Sequence, residues 1–285
     1  MKKKFAIVFA CALALCMSVI VLAGCSSSSS SSSKQSSEQS SSDNATRTKL
    51  TVGFDQDFPP YGYVGDDGKF TGFDLDLAAE VANRNGWEIE YKPINWDAKD
   101  LELSSGSIDC IWNGFTIEGR EDGYTFTDPY MDNTQVVVVR NDSGITSLAD
   151  LSGKTVLAQA DSAAYNLLIA GGDQEALAAT FKQLQTTPDY NTAFMELESG
   201  AVDAVAIDSP VAKFQTSGKE GTYTILSEQL SSEHYGVGFL KGNTELRDQV
   251  EKTLKEMTAD GTVKKLCEKY ADQGISYEQW ILPAA

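Results

Sequence analysis

Side chains that commonly carry catalysis are sparse in this sequence. The 285-residue chain holds one histidine, His234. Nucleophilic catalysis of the triad kind needs such a ring paired with a serine or cysteine, and near His234 only an accidental pairing can be read. The five cysteines form neither a CxxC pair nor a Cys/His cluster with zinc spacing, so neither dithiol chemistry nor a metal centre is expected. Carboxylates are so numerous, 41 acidic side chains against 23 basic ones, that the presence of a carboxylate pair discriminates nothing. The net charge of −18 is the wrong sign for phosphate, which excludes nucleic acid as a partner. An acidic surface of this kind is a solubility device more often than a cation site. From residue types, no enzyme activity, cofactor or metal is expected.

The N-terminus sets the compartment. Lys2, Lys3 and Lys4 precede an apolar run over residues 5–23 that only Ser18 interrupts, and Leu22-Ala-Gly-Cys25 follows. A basic start and small residues before a cysteine read as an export signal, residues 1–24, that is removed. Leu-Ala-Gly-Cys resembles a bacterial lipobox, which implies lipidation (palmitate among the acyl groups) at Cys25; the competing reading is an uncleaved anchor. Residues 25–48 are Ser-rich, have no hydrophobic period, and read as a flexible tether. Loss of the signal leaves 20 basic and 41 acidic side chains, a charge of −21. Cys11 and Cys16 leave with it, so Cys110 and Cys267 remain. They either pair, as export permits, or stay free, as a thiol in the apolar run around Cys110 commonly does.

From residue 49 onward strand-like and helix-like segments alternate, the pattern of an α/β protein with largely parallel sheets. Strands are expected at 50–54, 88–91, 155–158, 181–184, 204–207 and 235–240, and a buried one at 136–139. Gly65-Asp-Asp-Gly68 is a hairpin signal. Phe73, Leu77, Ala78 and Val81 recur at helical spacing, with Gly86 placed to end that helix. Helices are also expected after Ser162, after Thr187-Pro188, from the cap Asn243 onward, and over 263–270.

The run Gly72-Phe-Asp-Leu-Asp-Leu-Ala-Ala-Glu resembles the signature of the bacterial extracellular solute-binding proteins of family 3, which bind polar amino acids. The likeness continues through Asp57-Phe-Pro-Pro-Tyr61, Gly114-Phe-Thr-Ile117 with Arg120, Phe126-Thr-Asp-Pro-Tyr130, Leu148-Ala-Asp-Leu-Ser-Gly-Lys154, Ala204-Val-Ala-Ile-Asp208 and Glu256-Met-Thr-Ala-Asp-Gly261. It implies a type II periplasmic-binding fold: two α/β lobes, one from residues 49–138 plus 236–285 and one from 139–235, joined by two crossing strands around a ligand cleft. It also implies an amino-acid carrier for an ABC permease, monomeric and held on the outer face of the cell membrane through Cys25.

A free amino acid carries a carboxylate and an ammonium, and a dry cleft holds both only if each meets a partner. The resemblance implies Arg120 for the carboxylate and Asp208 for the ammonium, with Gly114 and Thr116 beside them. From the residues alone, Arg120 next to Glu121 and Asp122 also reads as a surface helix arginine, and Asp208 before Ser209-Pro210 as an N-cap. Arg120 follows Thr116 by four residues where many relatives have five. Phe58 and Trp96 match the aromatic pair that sandwiches the ligand side chain, or else pack in the core. Asp55 matches a contact to polar or cationic side chains, and Asn113 a position lining the site. In the second lobe Ser162 and the N–H of Ala163 are expected at the ligand carboxylate, with Gln159 at the side chain or in a solvated loop. Asp55 and Asp208 against Arg120 favour a neutral polar or cationic ligand. The alternatives are an enzyme on the same fold, such as a dehydratase or a lytic enzyme, and a sensory domain, which a following membrane or signalling segment would suggest; none is expected after Ala285.

Overall fold

The computed structural model describes residues 47–285. The signal expected at 1–24, the lipid site at Cys25 and all but the end of the tether lie outside them. Among the described residues, no helix is long and apolar enough to cross a membrane.

Two sheets organise the chain. The first runs Glu88–Pro93, Lys49–Phe54, Cys110–Ile111, Gly238–Leu240, Tyr124–Phe126, parallel across its first three strands and antiparallel after that. Phe73–Asn85 and Thr244–Ala259 cover it, burying Phe73, Leu77, Val81, Val250 and Leu254. The first of these helices has the bounds its apolar spacing predicts, and Gly86 closes it in the left-handed conformation at φ 70°. Asn243 caps the second, accepting the N–H of Leu246. The second sheet runs Gln183–Thr187, Thr155–Gln159, Ala204–Asp208, Met131–Arg140, Tyr223–Ile225, with Ser231–Tyr235 also paired to Met131–Arg140. Its central strands are buried along their length, which is why they read as continuous apolar runs.

Met131–Arg140 and Ser231–Tyr235 pair antiparallel, from Ser231↔Gln135 to Tyr235↔Met131. These are the strands beside which the chain passes between the sheets. The expected boundary at 138/139 cuts through Met131–Arg140, whose strand partners all lie in the second sheet. By sheet pairing Met131–Arg140 goes with the second sheet and Gly238–Leu240 with the first, while Met131 also bridges Trp280 and Tyr235 bridges Thr116. Two expected elements are displaced. The strand read at 181–184 forms at Gln183–Thr187, and the helix read from Thr187-Pro188 starts at Tyr190 behind the cap Asp189, whose carboxylate accepts the Thr192 N–H at 2.7 Å. The apolar run around Cys110 is strand at Cys110–Ile111. Cys110 and Cys267 are both free and buried.

Candidate functional site

One cavity lies between the two sheets, with about 270 Å³ of space among its lining atoms. Phe58, Trp96, Asn113 and Gly114 line it from the first lobe, and Gln159, Ser162, Ala163 and Asp208 from the second. All eight are residues that sequence reasoning placed at the site. They come together because strand ends and the turns after them face the cleft, where the backbone leaves its sheet and polar groups fall free.

In the first lobe a carboxylate that sequence reasoning left without a role fixes the loop. Asp74, fully buried at the start of Phe73–Asn85, accepts the Gly114 N–H at 2.6 Å and the Tyr130 hydroxyl at 2.8 Å. Burial pushes its carboxyl up to about 7 against these two bonds. Gly114 itself has φ 56°, and a Cβ there would meet Tyr235 and Phe58 at 3.0–3.1 Å, so the position admits only glycine without rearrangement. Asn113 Oδ1 accepts the Asp55 N–H, while its Nδ2 is buried without a partner among the described residues.

Three expected ligand residues stand just behind the cavity instead of lining it. Arg120 donates from Nη1 to the Thr116 carbonyl at 3.2 Å and from Nη2 to the Asp161 carbonyl at 3.1 Å, and its guanidinium lies 5.0 Å from the Phe115 ring centroid. It thus joins the first lobe to the turn before Ser162 and is not a free surface arginine. Thr116 donates its hydroxyl to Glu233 at 2.8 Å. Asp55 accepts the Gln159 Nε2 across the cleft at 2.6 Å, and burial raises its carboxyl to about 6. Each of the three has polar groups engaged within the protein.

In the second lobe Ser162 caps Ala163–Leu168, its hydroxyl oxygen accepting the Tyr165 N–H at 3.1 Å. The hydroxyl proton remains able to donate into the cavity. Asp208 precedes Ser209–Thr216 but makes no side-chain cap bond. Its Oδ1 instead accepts from Asn133 at 2.8 Å, Gln135 at 2.7 Å and the Tyr235 hydroxyl at 2.6 Å, and Oδ2 has no protein partner among the described residues. Burial, then the neighbouring charge of Glu233, push the Asp208 carboxyl up to about 7. The N-cap reading of Asp208 is therefore set aside.

Several residues at or near the cavity escaped the sequence reading. Lys99 is 1 % exposed, pairs with Asp161 of the opposite lobe, and has its Nζ 5.3 Å from the Trp96 ring centroid. Asp161, a non-glycine residue at φ 57°, is thus held by Lys99 at its carboxylate and by Arg120 at its carbonyl. Tyr190 packs on Phe58 with ring centroids 6.0 Å apart and has no partner for its buried hydroxyl among the described residues. Asn133, Gln135 and Glu233 complete the set. Their signal was the period of two: residues 131, 133 and 135 alternate as the buried positions over the first half of their strand, and 233 and 235 do so in theirs. Polar residues at inward positions of a strand are the informative exception. With Glu233 and Lys99 included, the cleft's charge balance is no longer the two acids against one arginine expected from sequence.

The model of the bacterial extracellular solute-binding proteins, family 3, matches residues 50–273. Over 229 residues the chain is 31% identical to the L-cystine-binding protein TcyJ of Escherichia coli, covering 79% of this chain and 83% of that one. Over 233 residues it is 34% identical to the L-cystine-binding protein TcyA of Bacillus subtilis, covering 80% and 82%. Among solved structures it is similar to an ABC uptake transporter substrate-binding protein of Streptococcus pneumoniae with bound histidine, with a TM-score of 0.73, 31% identity, and coverage of 80% and 94%.

Proposed function

The chain belongs to the bacterial extracellular solute-binding proteins, family 3, and from that membership we propose that it captures one free amino acid between its lobes and delivers it to an ABC importer. The single observation that carries the ligand class is Asp208, a buried carboxylate at the cavity wall with one oxygen held by three donors and the other without a protein partner among the described residues. An oxygen so placed suits an ammonium. Ser162 and the Ala163 N–H, on the wall across from the aromatic residues, suit the α-carboxylate. Arg120 adds positive charge beside the same turn, with N–H groups beyond the two engaged on carbonyls. Phe58 and Trp96 give apolar faces for the ligand side chain, Asn113 and Gln159 amide groups for its end, and Gly114 a close backbone approach. Asp55 and Thr116 act by holding Gln159 and Glu233.

Asp208 is the only charged residue among those lining the cavity, which supports a neutral polar or cationic side chain. The function is binding and transfer, not catalysis. Closure of the lobes favours the bound state through the bridges that form from one lobe to the other, here Lys99–Asp161 and Gln159–Asp55 among them. The lobes divide at the two crossings, the protein works as a monomer, and acylated Cys25 with its serine tether keeps it on the outer face of the membrane beside the permease.

A thermal-shift screen with free amino acids tests this reading, and L-cystine, L-arginine, L-histidine and L-glutamine are the first to try. A ligand at about a hundredfold over its dissociation constant adds about 2.7 kcal/mol of stability. Recovery of that ligand unchanged after long incubation separates carrier from enzyme; conversion of it would exclude the carrier reading.

A further inference from the structure

At the cavity wall two carboxylates stand together, Asp208, which lines it, at 4 % exposure and Glu233 at 5 %. Asn133 Nδ2 donates to Asp208 Oδ1 and to Glu233 Oε1, both at 2.8 Å, and Gln135 Nε2 donates to the same two oxygens at 2.7 and 2.8 Å. Two amide groups thus bridge one oxygen of each acid. Tyr235 adds its hydroxyl to Asp208 and Thr116 its hydroxyl to Glu233. Every one of these donors is neutral, and among the described residues neither acid has an ion-pair partner.

Two oxygens that contact the same nitrogens lie within the ~6 Å over which like charges oppose each other's ionisation. Buried among neutral donors, two full negative charges are costly. The groups facing the pair from each packed element do not relieve this. Tyr235 on the same strand, Tyr190 from Tyr190–Ser199 and Tyr61, packed edge-on to Tyr235, are phenols that burial keeps neutral. Arg120 is near enough to feel both acids but is bonded to two carbonyls. Lys213 stands only at the outer pocket that Glu233 also lines. His234, the next residue along, turns away to Glu118 and Asp132. The raised carboxyl of Asp208 agrees with this picture.

We propose that Glu233 is the second acid of the amino-acid site, and that the Asp208–Glu233 pair holds one proton which passes to solvent when the ligand ammonium docks. The inference rests on the reading of Asp208 as ammonium receptor. The balance is simple: a cation enters, a proton leaves, and no covalent bond other than O–H breaks. Glu233 acts through the amides it shares with Asp208, so it is a positioning and charge-setting residue, not a contact. Because the proton must leave, affinity rises with pH below about 7 and flattens above it, although the ligand's own α-groups do not titrate there.

The test is calorimetry of the intact protein with L-arginine, L-glutamine and L-cystine, each in two buffers of different ionisation enthalpy. The expected result is release of roughly one proton per ligand at about pH 6, falling toward zero above about pH 8, with Kd improving about tenfold from pH 5 to 6. Glu233→Gln should still bind an amino acid but release far less at pH 6. Binding by the natural protein with no proton exchanged at pH 6 overturns the proposal while leaving the carrier reading intact, and this measurement stands even if the variant does not fold. Undiminished release from Glu233→Gln removes Glu233 from the device. Failure of all three amino acids to bind would remove the ammonium receptor itself.

Discussion

The first lobe presents to the cavity two aromatic faces, Phe58 and Trp96, with the amide of Asn113 and the backbone at Gly114, whereas the second presents Gln159, Ser162, Ala163 and Asp208. The polar side chains of the first lobe are turned to internal work. Asp74 holds the Gly114 N–H, Thr116 holds Glu233, and Arg120 reaches across to the Asp161 carbonyl. The polar groups of the second lobe keep an oxygen or a hydroxyl for the cavity. One wall therefore sets shape and the other sets charge, and the site is complete only when the two meet.

That division can be broken in order of expected effect. Asp208→Asn removes the one charge lining the cavity. With the ligand ammonium left unpaired, affinity should fall by about 3–5 kcal/mol in a calorimetric titration, roughly two to four orders of magnitude. Arg120→Ala should cost about 2–4 kcal/mol in the same measurement, since a nearby charge is lost together with the link to the turn before Ser162. An affinity equal to that of the natural protein would remove Arg120 from the site. Trp96→Ala alters the shape-setting wall and should weaken binding by only about 1–2 kcal/mol, with a change in the ranking of amino acids. An effect as large as that of Asp208→Asn would contradict the division.

A fourth prediction concerns stability without ligand. Asp74 and Asp208, raised to about 7, and Asp55, raised to about 6, hold protons in the folded chain that the unfolded chain releases near pH 4. The folded state then binds more protons between those values, so these groups favour folding at low pH and lose that contribution as pH rises through their folded values. Urea unfolding should give a lower stability at pH 8 than at pH 5, and Asp74→Asn should flatten that dependence. An equal slope in the variant would contradict protonation of Asp74.

Much of this arrangement is legible in the sequence. Apolar spacing gives the helix Phe73–Asn85 with its stop at Gly86, and a polar residue between a strand and a helix marks Ser162 and Asp208. The resemblance supplied the lining residues. What stayed hidden depends on contacts between distant segments. No local pattern tells that Lys99 meets Asp161, 62 residues away, or that Arg120 is engaged on a carbonyl 41 residues on. The start of Tyr190–Ser199 was misplaced because Thr187-Pro188 is a good helix opening by propensity, yet pairing of Thr187 with Gln159 keeps it in the sheet. Asn133, Gln135 and Glu233 could have been found from the inward positions of their strands, had the strand's beginning at Met131 been recognised.

The most direct measurement of the central claim compares an amino acid that binds with its analogue lacking the α-amino group, titrated into the natural protein and into Asp208→Asn. If Asp208 receives the ammonium, the natural protein prefers the amino acid by about a hundredfold or more, and the variant loses nearly all of that preference. Undiminished preference in the variant would mean that the ammonium is held elsewhere.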